Sequence, residues 1–135
     1  MPVADVERAK TFYAEKAGFD LNVDTVVGQD LRIVQLNPHG SACSICTMKN
    51  ESAAGSVQGL HLMVTDIVAA RHELVSRGVD VQEIKHMNTA TGEWVSGPHP
   101  DRSDYNSFAE FADPDGNGWL LQEVGWGDLS RKNRV

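Results

Sequence analysis

Hydrophobic positions change period along the chain, and the changes mark out its elements. From Asp5 onward, Val6, Ala9, Phe12 and Tyr13 recur at the spacing of an amphipathic helix, with Asp5 placed to cap it and Gly18 to end it. The runs 20–27, 31–36 and 42–48 are rich in apolar and β-branched residues. Between them lie Gly28-Gln29-Asp30 and Asn37-Pro38-His39-Gly40, which is turn chemistry, so three strands are expected after the helix. Asn50 to Ser56 carries no periodicity and reads as a linker. The pattern then restarts: 60–65 reads as a strand, Asp66 caps a helix carrying Ile67, Ala70 and Leu74, and Gly78 closes it. Residues 79–86 are expected as a strand and 87–104 as a long loop. Residues 107–112 and 119–124 form a hairpin around Asp113-Pro114-Asp115-Gly116-Asn117-Gly118.

The restart is a repeat. Val3-Ala4-Asp5-Val6 matches Val64-Thr65-Asp66-Ile67, and Gly18-Phe19-Asp20-Leu21 matches Gly78-Val79-Asp80-Val81. An offset of about 60 residues implies two copies of a β-α-β-β-β unit. The expected architecture is α+β, one domain over 1–135, with unit one at about 1–49, a linker at 50–57, unit two at 58–125 and a tail at 126–135. An 87–104 loop of this length in a compact domain marks functional territory, a lid or a subunit contact.

Composition narrows the classes. With 135 residues, 41% hydrophobic and 23% charged, the chain has the make-up of a soluble globular domain large enough to fold without disulfides. Nineteen acidic residues against twelve basic ones give a net charge of −7 without a basic run, which excludes a phosphate-backbone binder. Apolar stretches such as Ile33 to Leu36 fall far short of the roughly 20 residues that span a bilayer, so neither nucleic acid nor membrane is expected as a partner, and the chain reads as cytoplasmic. Cys43 and Cys46 lack the second ligand pair of a zinc knuckle, and in a strand-like run they point to opposite faces, so they read as small apolar side chains. His72 reads as a solvated helix residue, and His39, His86 and His99 lie in or beside turns. Asp113, Asp115 and Gly118 match part of a calcium loop, but Val124 stands where its closing Glu belongs. Trp94, Trp119 and Trp126 read as core or interface mass.

The duplicated unit, the helix phrase from Val3 to Tyr13 leading to Gly18-Phe19, and the phrase Phe111-Ala112-Asp113-Pro114-Asp115-Gly116-Asn117 together resemble the vicinal oxygen chelate superfamily. Glyoxalase I, extradiol dioxygenases and bleomycin-resistance proteins belong to it. The resemblance covers nearly the whole chain. It implies two β-α-β-β-β modules forming a cup-shaped mixed sheet with helices outside, frequently paired into a dimer. Catalytic members hold a divalent ion in the cup, and the resemblance also says where its ligands would stand. Counting seven back from Asp66 reaches Gly59, and four on from Gly116 reaches Leu120. A third position falls near Ile45, and the fourth precedes Met1. None offers a donor side chain, so no metal or other cofactor is expected; a two-residue slip would instead bring His61 and Gln122 to the ligand positions and restore a divalent metal. Members of the family carry a full strand before the first helix where only Met1 to Ala4 stand here, so either the start is internal to a longer product or another chain covers the sheet edge.

If Gly59 and Leu120 face the cup, strand alternation places His61 and Gln122 on the same face, with Glu110 and Phe108 inward on the neighbouring strand and Gln35 as a possible fifth residue. Trp119 and Leu121 then face a helix. His61 and Glu110 could form an acid/base pair, or His61 could be a satisfied polar group bonded to Gln122 or Glu110. The expected function is a glyoxalase-like protein that binds a small molecule in its cavity without a metal, working as a homodimer; the alternative is a metal-dependent lyase, isomerase or dioxygenase.

Overall fold

The computed structural model describes residues 1–127; within the 126–135 tail, residues 128–135 lie outside the described residues. The first unit runs β1 (Pro2–Val3), α1 (Val6–Thr11), β2 (Asp20–Val27), β3 (Leu31–Asn37) and β4 (Ile45–Lys49). The second runs β5 (Leu60–Val64), α2 (Ile67–Ser76), β6 (Lys85–Asn88), β7 (Glu93–Ser96), β8 (Phe108–Ala112) and β9 (Gly118–Glu123). The fold is α+β, and the strands form two mixed sheets, one ordered β1-β4-β3-β2 and the other β5-β9-β8-β6-β7.

The repeat read from sequence is a repeat of geometry. β1 runs parallel to β4, and β5 runs parallel to β9. Asp5 and Asp66 both adopt extended backbone and cap their helices, accepting from Arg8 N and Ala69 N at 3.1 Å in each case. After Thr11 the first helix widens into a π-helical turn over Phe12–Lys16, closed by Ala17 N donating to Phe12 O at 2.9 Å.

Three expectations are corrected. The strand expected over 42–48 starts only at Ile45, because the Asn37 amide donates to Pro38 O and Ser41 O and Cys43 N donates to Ser41 Oγ, which holds the preceding residues in a turn. Cys43 is therefore an exposed loop residue, and both cysteines are free. The strand expected over 79–86 is confined to Lys85–Asn88. The buried Val79 and Val81 that suggested an earlier start belong to the core beside α2, where Arg71 donates to the carbonyls of Val81 and Gln82 instead of a ladder partner. The 87–104 loop is partly regular: β6 and β7 pair as an antiparallel hairpin. His86 accordingly sits buried on a strand, with its ring edge-on to His99 at 5.4 Å.

One hydrophobic core joins the units. Phe12 lies 6.5 Å from Phe111, Tyr13 6.0 Å from Trp119 and Phe19 5.7 Å from Trp119, so the first helix region packs its aromatic face on β8 and β9 of the second unit. A polar node locks the joint. Asp113 Oδ2 accepts from Tyr13 Oη and from Asn117 Nδ2 at 2.8 Å each, and Oδ1 accepts from the backbone of Asp115 and Asn117. Trp119 Nε1 donates to Tyr13 Oη at 2.9 Å. Burial, then the neighbouring Asp113 charge, drives the Tyr13 phenol far above its ordinary pKa, so it stays a neutral donor.

The opposite end of the first sheet is bare. Every residue of β2 is exposed, including Leu21, Val23, Val26 and Val27. Arg32 and Lys10 clamp Asp24 on this strand and hold its carboxyl well below the usual carboxylate range.

Candidate functional site

Helix α2 and the aromatic face of the first helix region cover one side of the second sheet and leave the other open. Leu62, Val64, Ala109, Phe111, Trp119 and Leu121 are buried on the helix-covered side. Two-residue alternation then turns their neighbours to the other side. Pairing aligns them in rows: His61 with Leu120 and Glu110, and Met63 with Gln122, Phe108 and Lys85. The β6–β7 hairpin extends this open face with Met87 and Trp94, which pair directly.

Four of the five residues singled out from sequence thus share one face. His61 Nδ1 lies 2.9 Å from Gln122 Oε1, and Gln122 Nε2 donates to Tyr105 O at 3.1 Å. Glu110 is engaged by Lys85, whose Nζ is 3.5 Å from Oε1. Phe108 meets Trp94 edge to face at 5.6 Å, and Lys85 Nζ lies 4.7 Å over the Trp94 ring. The polar groups are therefore paired as His61 with Gln122 and Glu110 with Lys85, a different arrangement from a His61–Glu110 acid/base couple. Gln35 lies on β3 in the other sheet, where its amide donates to Ser44 Oγ at 2.7 Å.

Two cavities meet at His61. One, of about 500 Å³, lies between β5 and the 38–45 loop and is lined by Phe19, Pro38, Cys43, Ile45, His61 and Met63. Ser44 also lines it, so Gln35 stands one hydrogen bond behind its wall. The other, of about 560 Å³, lies over β8 and β9 and includes His61, Leu120, Glu110 and Gln82. Glu110 in turn joins this space to a third hollow beneath Trp94 and Lys85.

Sequence reasoning missed two parts of the site. Trp94, half exposed at 51%, is an open-face aromatic rather than core mass. Thr91-Gly92 next to the β-prone Trp94-Val95 was the available signal for its hairpin. The second missed part is the segment from Arg102 to Tyr105. Arg102 forks onto Glu123, with Nε to Oε1 at 2.8 Å and Nη2 to Oε2 at 2.6 Å, while stacking on Trp126 at 4.5 Å. Glu123 is fully buried and also accepts from Ile67 N at the start of α2. Its hydrogen bonds raise the Arg102 pKa above the ordinary value. Tyr105 N donates to Glu123 O, and Gly125 N donates to Asp104 Oδ1, which fastens the segment along the end of β9. Arg102 and Tyr105 both have positive φ, at 50° and 65°, a backbone strain that these contacts hold in place.

The residues present do not fit the divalent ion that the sequence resemblance implies for catalytic members of that superfamily. Gly59 has no side chain and Leu120 is apolar, while His61 and Gln122 bond each other and leave one ring nitrogen, fewer donors than a protein-held metal needs. Among the described residues no group of three or more His, Cys, Asp and Glu is placed to hold a metal ion. Among the described residues, too, no helix is long and apolar enough to cross a membrane.

Comparison with known proteins agrees with this architecture. The model of the Glyoxalase/Bleomycin resistance protein/Dioxygenase superfamily matches residues 1–121. The uncharacterized protein YetH of Bacillus subtilis (strain 168) is 27% identical over 124 residues, covering 90% of this chain and 91% of that protein. TnmS3, an antibiotic binding protein from Streptomyces sp. CB03234, is 32% identical with a TM-score of 0.66, covering 91% of this chain and 89% of that one. A glyoxalase/bleomycin resistance protein from the same Streptomyces strain is also 32% identical, with a TM-score of 0.64, covering 90% of this chain and 94% of that one.

Proposed function

This chain belongs to the glyoxalase/bleomycin resistance protein/dioxygenase superfamily, and we propose that it binds a small molecule with an aromatic body on the open face of its second sheet, without a metal. The observation that carries this reading is the composition of that face. Trp94, Phe108, Met63 and Leu120 offer flat and apolar contact, and the His61–Gln122 pair supplies directional hydrogen bonding at its centre. Aromatic and apolar contact combined with a few placed polar groups is the usual make-up of a small-molecule site. The likeness to an antibiotic binding protein supports the same reading.

The test is a thermal-shift screen of untagged protein against aromatic natural-product antibiotics and hydroxylated polycyclic aromatics, with divalent ions as a separate arm. A true ligand at a hundredfold excess over its Kd stabilises by about 2.7 kcal/mol, a shift of several degrees. Trp94→Ala is expected to abolish the shift. Stabilisation by a transition-metal ion alone, with stoichiometric metal in the purified protein, favours instead a metal-dependent lyase, isomerase or dioxygenase.

The proposal includes a homodimer. The apolar side chains Leu21, Val23, Val26 and Val27 on the edge strand β2 are exposed in the single chain. A second copy covering them would bury well over roughly 1,000 Å². Light scattering at micromolar concentration is expected to give twice the 14.8 kDa chain mass, and a monomer mass removes this part of the proposal.

A further inference from the structure

The orientation of one side-chain amide fixes the chemistry of the imidazole beside it. Gln122 Nε2 faces the carbonyl oxygen of Tyr105 at 3.1 Å, and a carbonyl only accepts, so the nitrogen end of the amide must be there. The oxygen end, Oε1, is then the atom 2.9 Å from His61 Nδ1. An amide oxygen also only accepts, so Nδ1 must carry the hydrogen. In neutral His61 that leaves Nε2 unprotonated, an acceptor lone pair on an exposed ring that lines both cavities.

We propose that Gln122, set by the Tyr105 carbonyl, locks His61 in the Nδ1–H tautomer, so that Nε2 receives a hydrogen-bond donor of the ligand, a phenolic or alcoholic hydroxyl. The recognition step rests on the reading that this face is the ligand site. The lock itself does not, because it is a property of the empty protein.

What makes the lock firm is the backbone behind it. Tyr105 holds its carbonyl toward Gln122 with a left-handed φ of 65°, and its own N–H donates to Glu123 O at 2.8 Å. Arg102 and Asp104 fasten the same segment through Glu123 Oε1 and Oε2 and through Gly125 N. The carbonyl therefore stays in place whether or not the face is occupied. Gln122 and the Tyr105 carbonyl are positioning groups, and His61 Nε2 is the atom that meets the ligand. The selectivity follows from unequal costs. A hydroxyl satisfies the lone pair, whereas an ether or carbonyl oxygen in the same place sets acceptor against acceptor and leaves Nε2 desolvated.

Two measurements test the proposal. Nitrogen-15 NMR of the ring of His61 in ligand-free protein, above the pH range in which imidazole titrates, is expected to show a protonated Nδ1 and a bare Nε2. Gln122→Leu is expected to release the ring to the Nε2–H form that free imidazole side chains favour, and Gln122→Glu to keep Nδ1–H because the carboxylate also accepts. Tyr105→Phe retains the carbonyl and is expected to change nothing. An Nε2–H ring in the parent protein, or no response to Gln122→Leu, overturns the lock. The second measurement compares 2-naphthol with its methyl ether by equilibrium dialysis. The naphthol is expected to bind roughly three- to tenfold more tightly, a preference lost in Gln122→Leu. Equal binding of the two overturns the donor preference while sparing the binding site, and binding of neither overturns the recognition step together with the ligand reading.

Discussion

Arg102→Leu is expected to lower the unfolding free energy by about 3–5 kcal/mol, among the largest effects available from a single change in this chain. The reason lies in its partner. Glu123 is fully buried and receives both arms of the guanidinium, at 2.8 and 2.6 Å, so leucine leaves a carboxylate in the interior with, among the described residues, the Ile67 N–H as its remaining donor. The strained segment that Arg102 anchors loses one of its tethers in the same step. Thermal unfolding followed by circular dichroism reads the loss as a fall in Tm of roughly 10–20 °C for a domain of this size. Arg102→Leu with Glu123→Leu in the same chain should recover much of the deficit, because a buried pair replaced by apolar groups is often neutral. A fall no larger than that of the exposed-pair control Lys49→Ala contradicts the assignment of Glu123 as a charge that depends on this partner.

Asp113→Ala is expected to cost about 3–4 kcal/mol, because four donors lose their acceptor at once. Two are the backbone N–H groups of Asp115 and Asn117 that shape the β8–β9 turn, and two are the Asn117 amide and the Tyr13 hydroxyl. The substitution cuts the polar joint between the two units as well as a local turn. Tyr13→Phe removes one of the four bonds, along with the acceptor of Trp119 Nε1, and is expected to cost about 1–2 kcal/mol. Urea unfolding of the two variants separates the contributions. If both fall by the same amount, the turn bonds contribute nothing and the joint alone matters.

These two nodes differ in how far the sequence disclosed them. The Asp113 phrase was legible because its residues are adjacent and have strong turn preferences, and the same phrase anchored the alternation that turns His61 and Gln122 to one face and Trp119 and Leu121 to the other. The bounds of β2 and both helix caps were equally plain, since each is a local period or a local capping signal. Arg102 gave no such signal. Its partner lies 21 positions away, and its positive φ occurs at a residue type that does not advertise it. Trp94 was hidden for a related reason: every residue of β7 is exposed, so no alternation of burial is written into it. Gln35 shows the limit of alternation itself. Period two assigns a residue to a face of its own strand, but it does not say which of two sheets carries that strand.

The three tryptophans stand in three different settings, and this gives the molecule separate optical reporters. Trp119 is enclosed in the core at 5% exposure, Trp94 lies on the open face beneath Lys85, and Trp126 is half exposed at 49% with Arg102 stacked upon it. Their emission maxima and their access to a soluble quencher should therefore differ. Variants that retain one indole each would report on unfolding of the joint through Trp119, on occupancy of the open face through Trp94, and on release of the Arg102 segment through Trp126, within a single spectroscopic experiment.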